Sequence, residues 1–141
     1  MSDITDPASD LLATQCGLSP QPDPIINEHP SSHDLVCRDL NGMRFVNYGT
    51  REKSVAMNYF KVVEAYVALC ESLGINPASE IAKRKEFGLR KYGTILQPFN
   101  GRDNIRDTID ELGDALVYMR AKIFEEAHEL AEQSRSGEQA K

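Results

Sequence analysis

Val55, Tyr59, Val62, Tyr66, Leu69 and Leu73 recur at spacings of four, three, four, three and four residues. No other feature constrains the fold of this chain so tightly. At about 100° per residue these six side chains fall on one face of an α-helix. On a strand they would be spread over both faces. The spacing predicts a helix over 51–73, with Thr50 as its N-cap and Gly74 as its stop. A stripe of this kind reads as a face for packing against other helices, not as a cofactor box.

Two further helices follow. Asn76-Pro77 opens one, with Asn as cap and Pro at the first position. It runs over 77–92, through Ile81, Lys85, Gly88 and Leu89 to Tyr92, and Gly93 ends it. Its surface carries Lys83, Arg84, Lys85, Arg90 and Lys91, an ordinary solvated face except that an acidic helix comes next. The intervening loop, 94–102, contains Pro98 and Asn100-Gly101. Asp103 then caps a last helix over 103–130, striped by Ile105, Ile109, Leu112, Leu116, Met119 and Ile123. The fold class is therefore all-α, a small bundle of three to four main helices. The segment 34–48 is ambiguous. Leu35, Val36, Leu40, Met43 and Val46 suit a short amphipathic helix, Asn41-Gly42 breaks it, and a hairpin is the alternative. Tyr48-Gly49-Thr50 recurs as Tyr92-Gly93-Thr94, each before a long helix, a faint echo of two helical hairpins.

Around this body the chain is polar. Residues 1–33 hold Pro7, Pro20, Pro22, Pro24 and Pro30 and read as a flexible or disordered arm. Leu11-Leu12 and Ile25-Ile26 give that arm apolar points for docking on the body or on a neighbouring subunit. The helical domain spans 34–131, and 132–141 is a polar tail expected to fray. With 141 residues, 40% of them hydrophobic, and no Trp, the core is modest. The net charge of −6 argues against a general nucleic-acid binder. Cys16, Cys37 and Cys70 are odd in number and lack metal-ligand spacing. They suit unpaired thiols in a reducing compartment, with Cys70 a small core residue. The acidic start of the chain and the lack of a long apolar run predict a cytoplasmic protein with no membrane partner.

Chemistry concentrates in the last helix. Asp107, Asp110, Glu111 and Asp114 place four carboxylates within two turns. Such crowding is kept where the groups are well solvated or where a cation sits among them. About the stripe centred near Leu112, Glu111 lies to one side, Asp107 and Asp114 farther round, and Asp110 almost opposite. A solvated outer face is one reading. Gly113, Ala115, Val117 and Tyr118 among the acids favour the other, a helix buried on most of its circumference. Glu111 and Asp114, at i and i+3, would then point into a semi-enclosed space. A hard cation such as Mg²⁺, held by oxygen ligands and retained waters, would offset their burial.

At these residues the chain resembles the MazG-like group of all-α nucleoside triphosphate pyrophosphohydrolases. Asp110-Glu-Leu-Gly-Asp114-Ala-Leu is similar to that superfamily's Glu-x-x-Asp helix. The run from Gly88 to Arg120 resembles small MazG-like proteins of bacteriophages and prophages. Their pattern is Gly-x-x-Lys-Tyr-Gly-Thr, then a Leu-Gln-x-x-Asn-Gly-Arg-Asp loop, then a helix of spaced acids ending in Tyr. The resemblance implies an oligomeric bundle, a dimer or larger, with Mg²⁺ or Mn²⁺ as cofactor. It implies hydrolysis of a nucleoside triphosphate to a monophosphate and pyrophosphate. Glu86, Asp107, Glu111 and Asp114 would be the metal set, with Glu111, Asp114 and Glu86 catalytic. Lys91, Arg102 and Arg106 would meet phosphate oxygens. Tyr92 or Phe99 would stack on a base, and Asn100 belongs to the same binding loop.

One element of the superfamily pattern is missing. The helix before the acidic one should carry Glu-x-x-Glu, but Glu86 is followed by Leu89, Glu80 by Lys83, Glu64 by Val67 and Glu71 by Gly74. A catalytically degenerate protein that binds or sequesters a nucleotide signal is therefore an alternative. A third is an oligomeric helical interaction protein, built on the two apolar stripes alone.

Overall fold

The computed structural model describes residues 7–18, 20–42 and 53–139. The described residues form five helices and no strand: α1 Pro7–Gln15, α2 Ser32–Leu40, α3 Lys53–Ser72, α4 Pro77–Tyr92 and α5 Asn104–Gln139. The all-α class expected from the periodicity is the class observed. The chain divides into two compact units, one from Pro22 to Arg102 and one joining α1 and its continuation to Gln21 with α5.

In the first unit α4 is the centre, with α2 and α3 packed against it. Local chemistry sets each boundary. Ser31 is buried, has extended backbone, and accepts a hydrogen bond from the Asp34 amide at 3.0 Å, so it caps α2. Asn41 closes that helix, in accord with the turn signal there. Asn76 caps α4 by accepting from the Ser79 amide at 3.0 Å, and Pro77 occupies its first turn. Gly93 ends α4 at φ 74°, a left-handed position that a side chain disfavours, and its amide donates to Leu89 at 2.8 Å. The α3–α4 turn is closed by the Ile75 amide donating to the Cys70 carbonyl at 2.9 Å. Cys70 itself, 7% exposed, is the buried hydrophobic side chain among the described residues, a small core residue as expected.

Polar ties hold α2 in place. Lys85 Nζ on α4 reaches both Asp34 carboxylate oxygens at 3.0 Å. Tyr59 on α3 donates to Asp39 at 2.6 Å. The Cys37 thiol donates to the Ala78 carbonyl at 3.5 Å.

The expected helix of 51–73 is described from Lys53 to Ser72. Its proposed cap Thr50, the start at 51, Met43, Val46 and the Tyr48-Gly49-Thr50 echo lie outside the described residues. Two stretches read as irregular differ from expectation. Residues within the arm form α1, and the segment from Pro22 to Ser32 is hydrogen-bonded to the 96–102 loop. The tail from Ala131 continues α5 to Gln139. No Pro interrupts it, and His128 and Arg135 lie 3.5 and 3.8 Å from Glu132 at helical spacing.

Candidate functional site

The acidic helix begins as expected. Asp103 Oδ1 accepts from the amides of Ile105 and Arg106, both at 3.0 Å, and caps α5. Gln21 completes this start. Its amide nitrogen donates to Asp107 Oδ1 at 2.7 Å and to the Asp103 carbonyl at 3.1 Å, and its oxygen accepts from the Asp103 amide. Asp107, one of the four proposed metal ligands, is therefore engaged at the helix start. Asp110 is held by Arg106 at 2.8 Å, one turn away. That pair occupies Arg106, proposed from the sequence as a phosphate contact.

Glu111 and Asp114 follow on α5, one turn apart and exposed. The expected semi-enclosed space is not formed around them. Gly113 between them has no neighbouring atom within 4 Å of where a Cβ would stand, and Tyr118 is 73% exposed. Both carboxylates are exposed in the single chain, so burial does not demand a cation there. Among the described residues no group of three His, Cys, Asp or Glu side chains is arranged to hold a metal ion. Glu86, the proposed partner ligand on α4, forms an ion pair with Arg90 at 2.6 Å.

The basic loop residues divide by role. Lys91 lies 5.0 Å from the ring centre of Tyr92 and 5.8 Å from that of Phe87, over both faces. Asn100 is buried and turned inward. Its Oδ1 accepts from the Arg102 amide at 3.2 Å and its carbonyl accepts from Ile25 at 2.8 Å. These bonds give Asn100 a role in building the loop. Arg102 donates from Nη1 to the Pro22 carbonyl at 2.9 Å. Phe99 is 80% exposed.

Five hydrogen bonds organise the loop beyond what local sequence patterns display. Gln97, 4% exposed, donates to the carbonyls of Asn27 at 2.8 Å and His29 at 2.6 Å, and accepts from the Asn27 amide at 3.1 Å. Asn27 Nδ2 donates to the Pro98 and Phe99 carbonyls at 2.7 and 3.1 Å. The signal was present in the Leu-Gln-x-x-Asn-Gly loop, where Gln and Asn are the types able to satisfy backbone groups from inside a turn. Their partners lie about 70 residues upstream, which no local pattern displays.

A second polar cluster sits under α2. Lys85, hydrogen-bonded to Asp34, holds that carboxyl below its ordinary range, with burial opposing. His33 is pushed down by burial and then by Arg84 and Lys85, and its Nδ1 is buried without a partner. Burial and a hydrogen bond with the neighbouring Cys70 push Tyr66 up to about 12.

No protein-family model matches this chain. Comparisons with curated proteins and with solved structures also find no match. No helix in the described residues is long and apolar enough to cross a membrane.

Proposed function

We propose that the chain is a nucleoside triphosphate pyrophosphohydrolase of MazG-like type, acting on a triphosphate that arrives with Mg²⁺ or Mn²⁺. The observation that carries this is the Glu111–Asp114 pair, exposed one turn apart just beyond a capped helix start. Mg²⁺ bound to phosphates keeps several waters and takes only one or two protein carboxylates. An exposed pair of carboxylates one helical turn apart suits that role. Such a metal neutralises phosphate charge and supplies activated water.

The chain's own residues orient the substrate. Glu111 and Asp114 take the metal-bearing phosphates, and Lys91 and Arg102 are the cations suited to phosphate oxygens. Water adds across the bond between the α- and β-phosphates, leaving a monophosphate and pyrophosphate. Catalytic participation by Glu86 and Asp107 requires them to exchange their present partners, Arg90 and Gln21.

The functional form in this account is a homo-oligomer. On α5 Leu116, Val117, Phe124 and Leu130 remain 68, 67, 64 and 64% exposed. Together with Ile105, Ile109 and Ile123 they offer on the order of 700 Å² of apolar surface, near the ~800 Å² per partner of an ordinary stable interface.

The test is incubation of nucleoside triphosphates with protein and Mg²⁺, followed by chromatography of the nucleotides and a pyrophosphate assay. Equimolar monophosphate and pyrophosphate, lost in Glu111→Gln, support hydrolysis. Binding without turnover would move the assignment to a nucleotide-sequestering protein, a reading motivated by the missing Glu-x-x-Glu pair before the acidic helix.

A further inference from the structure

Phe99 stands at φ 57°, the left-handed region that an aromatic residue adopts only against a conformational penalty. Its ring is 80% exposed, so burial does not offset that penalty. Pro98 precedes it in a turn where Gly would fit without strain. The fold gives no reason for an aromatic side chain here.

The position is also held firmly. Asn27 donates to the Phe99 carbonyl at 3.1 Å, and the carboxamide of Gln97 takes the His29 carbonyl at 2.6 Å. These bonds set the His29 ring 4.9 Å from the Phe99 ring, tilted by 43°. His29 too is exposed. A strained, anchored loop thus presents two aromatic rings to solvent, one from each end of the unit's sequence.

We infer that the His29–Phe99 pair is a stacking platform for the base of a nucleotide, with His29 of the N-terminal arm as part of the binding site. This rests on the nucleotide reading above. Two rings offer roughly 200 Å², a quarter of what one side of a protein interface needs but ample for one heteroaromatic base. Stacking is indifferent to base identity, because every base has a π-face. The platform therefore gives affinity for nucleosides as a class. The net charge of −6 disfavours a polynucleotide as the source of that base.

The experiment is calorimetric titration of the full chain with ATP, with CTP and with inorganic tripolyphosphate, all with Mg²⁺. Tripolyphosphate carries the phosphates without a base. Phe99→Gly and His29→Ala are the variants, with melting curves for each. Phe99→Gly removes the ring and relieves the strained φ, so its Tm should hold or rise. Both nucleotides should bind each variant about tenfold more weakly, with tripolyphosphate unchanged. Unchanged nucleotide affinity in both variants overturns the platform. Equal loss for tripolyphosphate does so too, since the rings would then act through the fold. A single-stranded oligonucleotide that outcompetes ATP overturns the assignment to a free nucleotide. Absence of any nucleotide binding by the parent chain removes the nucleotide reading and the platform with it. Binding without hydrolysis removes only the enzymatic reading.

Discussion

The Gln97 carboxamide lies 2.6 Å from the His29 carbonyl and 2.8 Å from that of Asn27, so one buried side chain ties the loop before α5 to a segment nearly 70 residues upstream. All its hydrogen-bonding capacity toward the protein is directed at backbone. Gln97→Ala leaves two carbonyls and one amide unsatisfied in a half-buried place. Stability should fall by about 3 kcal/mol, roughly 10 °C in Tm. An unchanged melting curve would mean that water replaces the amide without loss.

Gly101 is held at φ 84°, and an added Cβ would stand 3.3 Å from Ile25 Cδ1. Gly101→Ala should destabilise by about 1–2 kcal/mol. Most of this is backbone strain, because the Ile25 side chain is exposed and can move. The double variant with Ile25→Ala should therefore recover little. Full recovery in thermal denaturation would show that the contact dominates.

The His33 cluster gives a pH dependence of defined sign. Its folded pKa lies below the ordinary 6.5 because of burial, Arg84 and Lys85, with Asp34 opposing. Below that value the unfolded chain binds a proton that the folded chain resists, so stability falls as pH drops. Above it the contribution is constant. His33→Gln should flatten this limb in urea titrations run from pH 7.5 to 5. Asp34 adds a separate loss at lower pH, since its folded pKa is depressed by Lys85. An undiminished slope in His33→Gln would assign the effect to other groups.

Self-association through α5 is tested by sedimentation. Leu116 is 68% exposed in the single chain. Leu116→Asp would place a charge within the proposed interface and should weaken association at least tenfold. A parent chain that sediments as a monomer at all concentrations would rule the interface out.

Much of the helical framework was legible because its signals are local. Asn76-Pro77, Gly93 and Asp103 are read in sequence and act as caps and stops in the structure. The turn at Asn41-Gly42 belongs to the same class, whereas the α3 stripe located the helix but not its packing, since Val62, Leu69 and Leu73 are 40, 51 and 76% exposed. What the sequence hid are partnerships across distance. Gln21 with Asp107, Asn27 with Pro98 and Gln97 with His29 join residues separated by 68 to 86 positions. The expected enclosure of Glu111 and Asp114 rested on Gly113 and Val117 implying a packed surface. In a single chain those small and apolar residues face open space. Helix periodicity identifies a face but not what covers it.

The central claim is hydrolysis of a triphosphate under the control of Glu111 and Asp114, and ³¹P NMR of a nucleoside triphosphate incubated with protein and Mg²⁺ tests it most directly. The account predicts that the three triphosphate resonances give way to those of a monophosphate and pyrophosphate. It predicts no change with a folded Asp114→Asn chain. Persistent triphosphate signals, or formation of a diphosphate with orthophosphate, would contradict it.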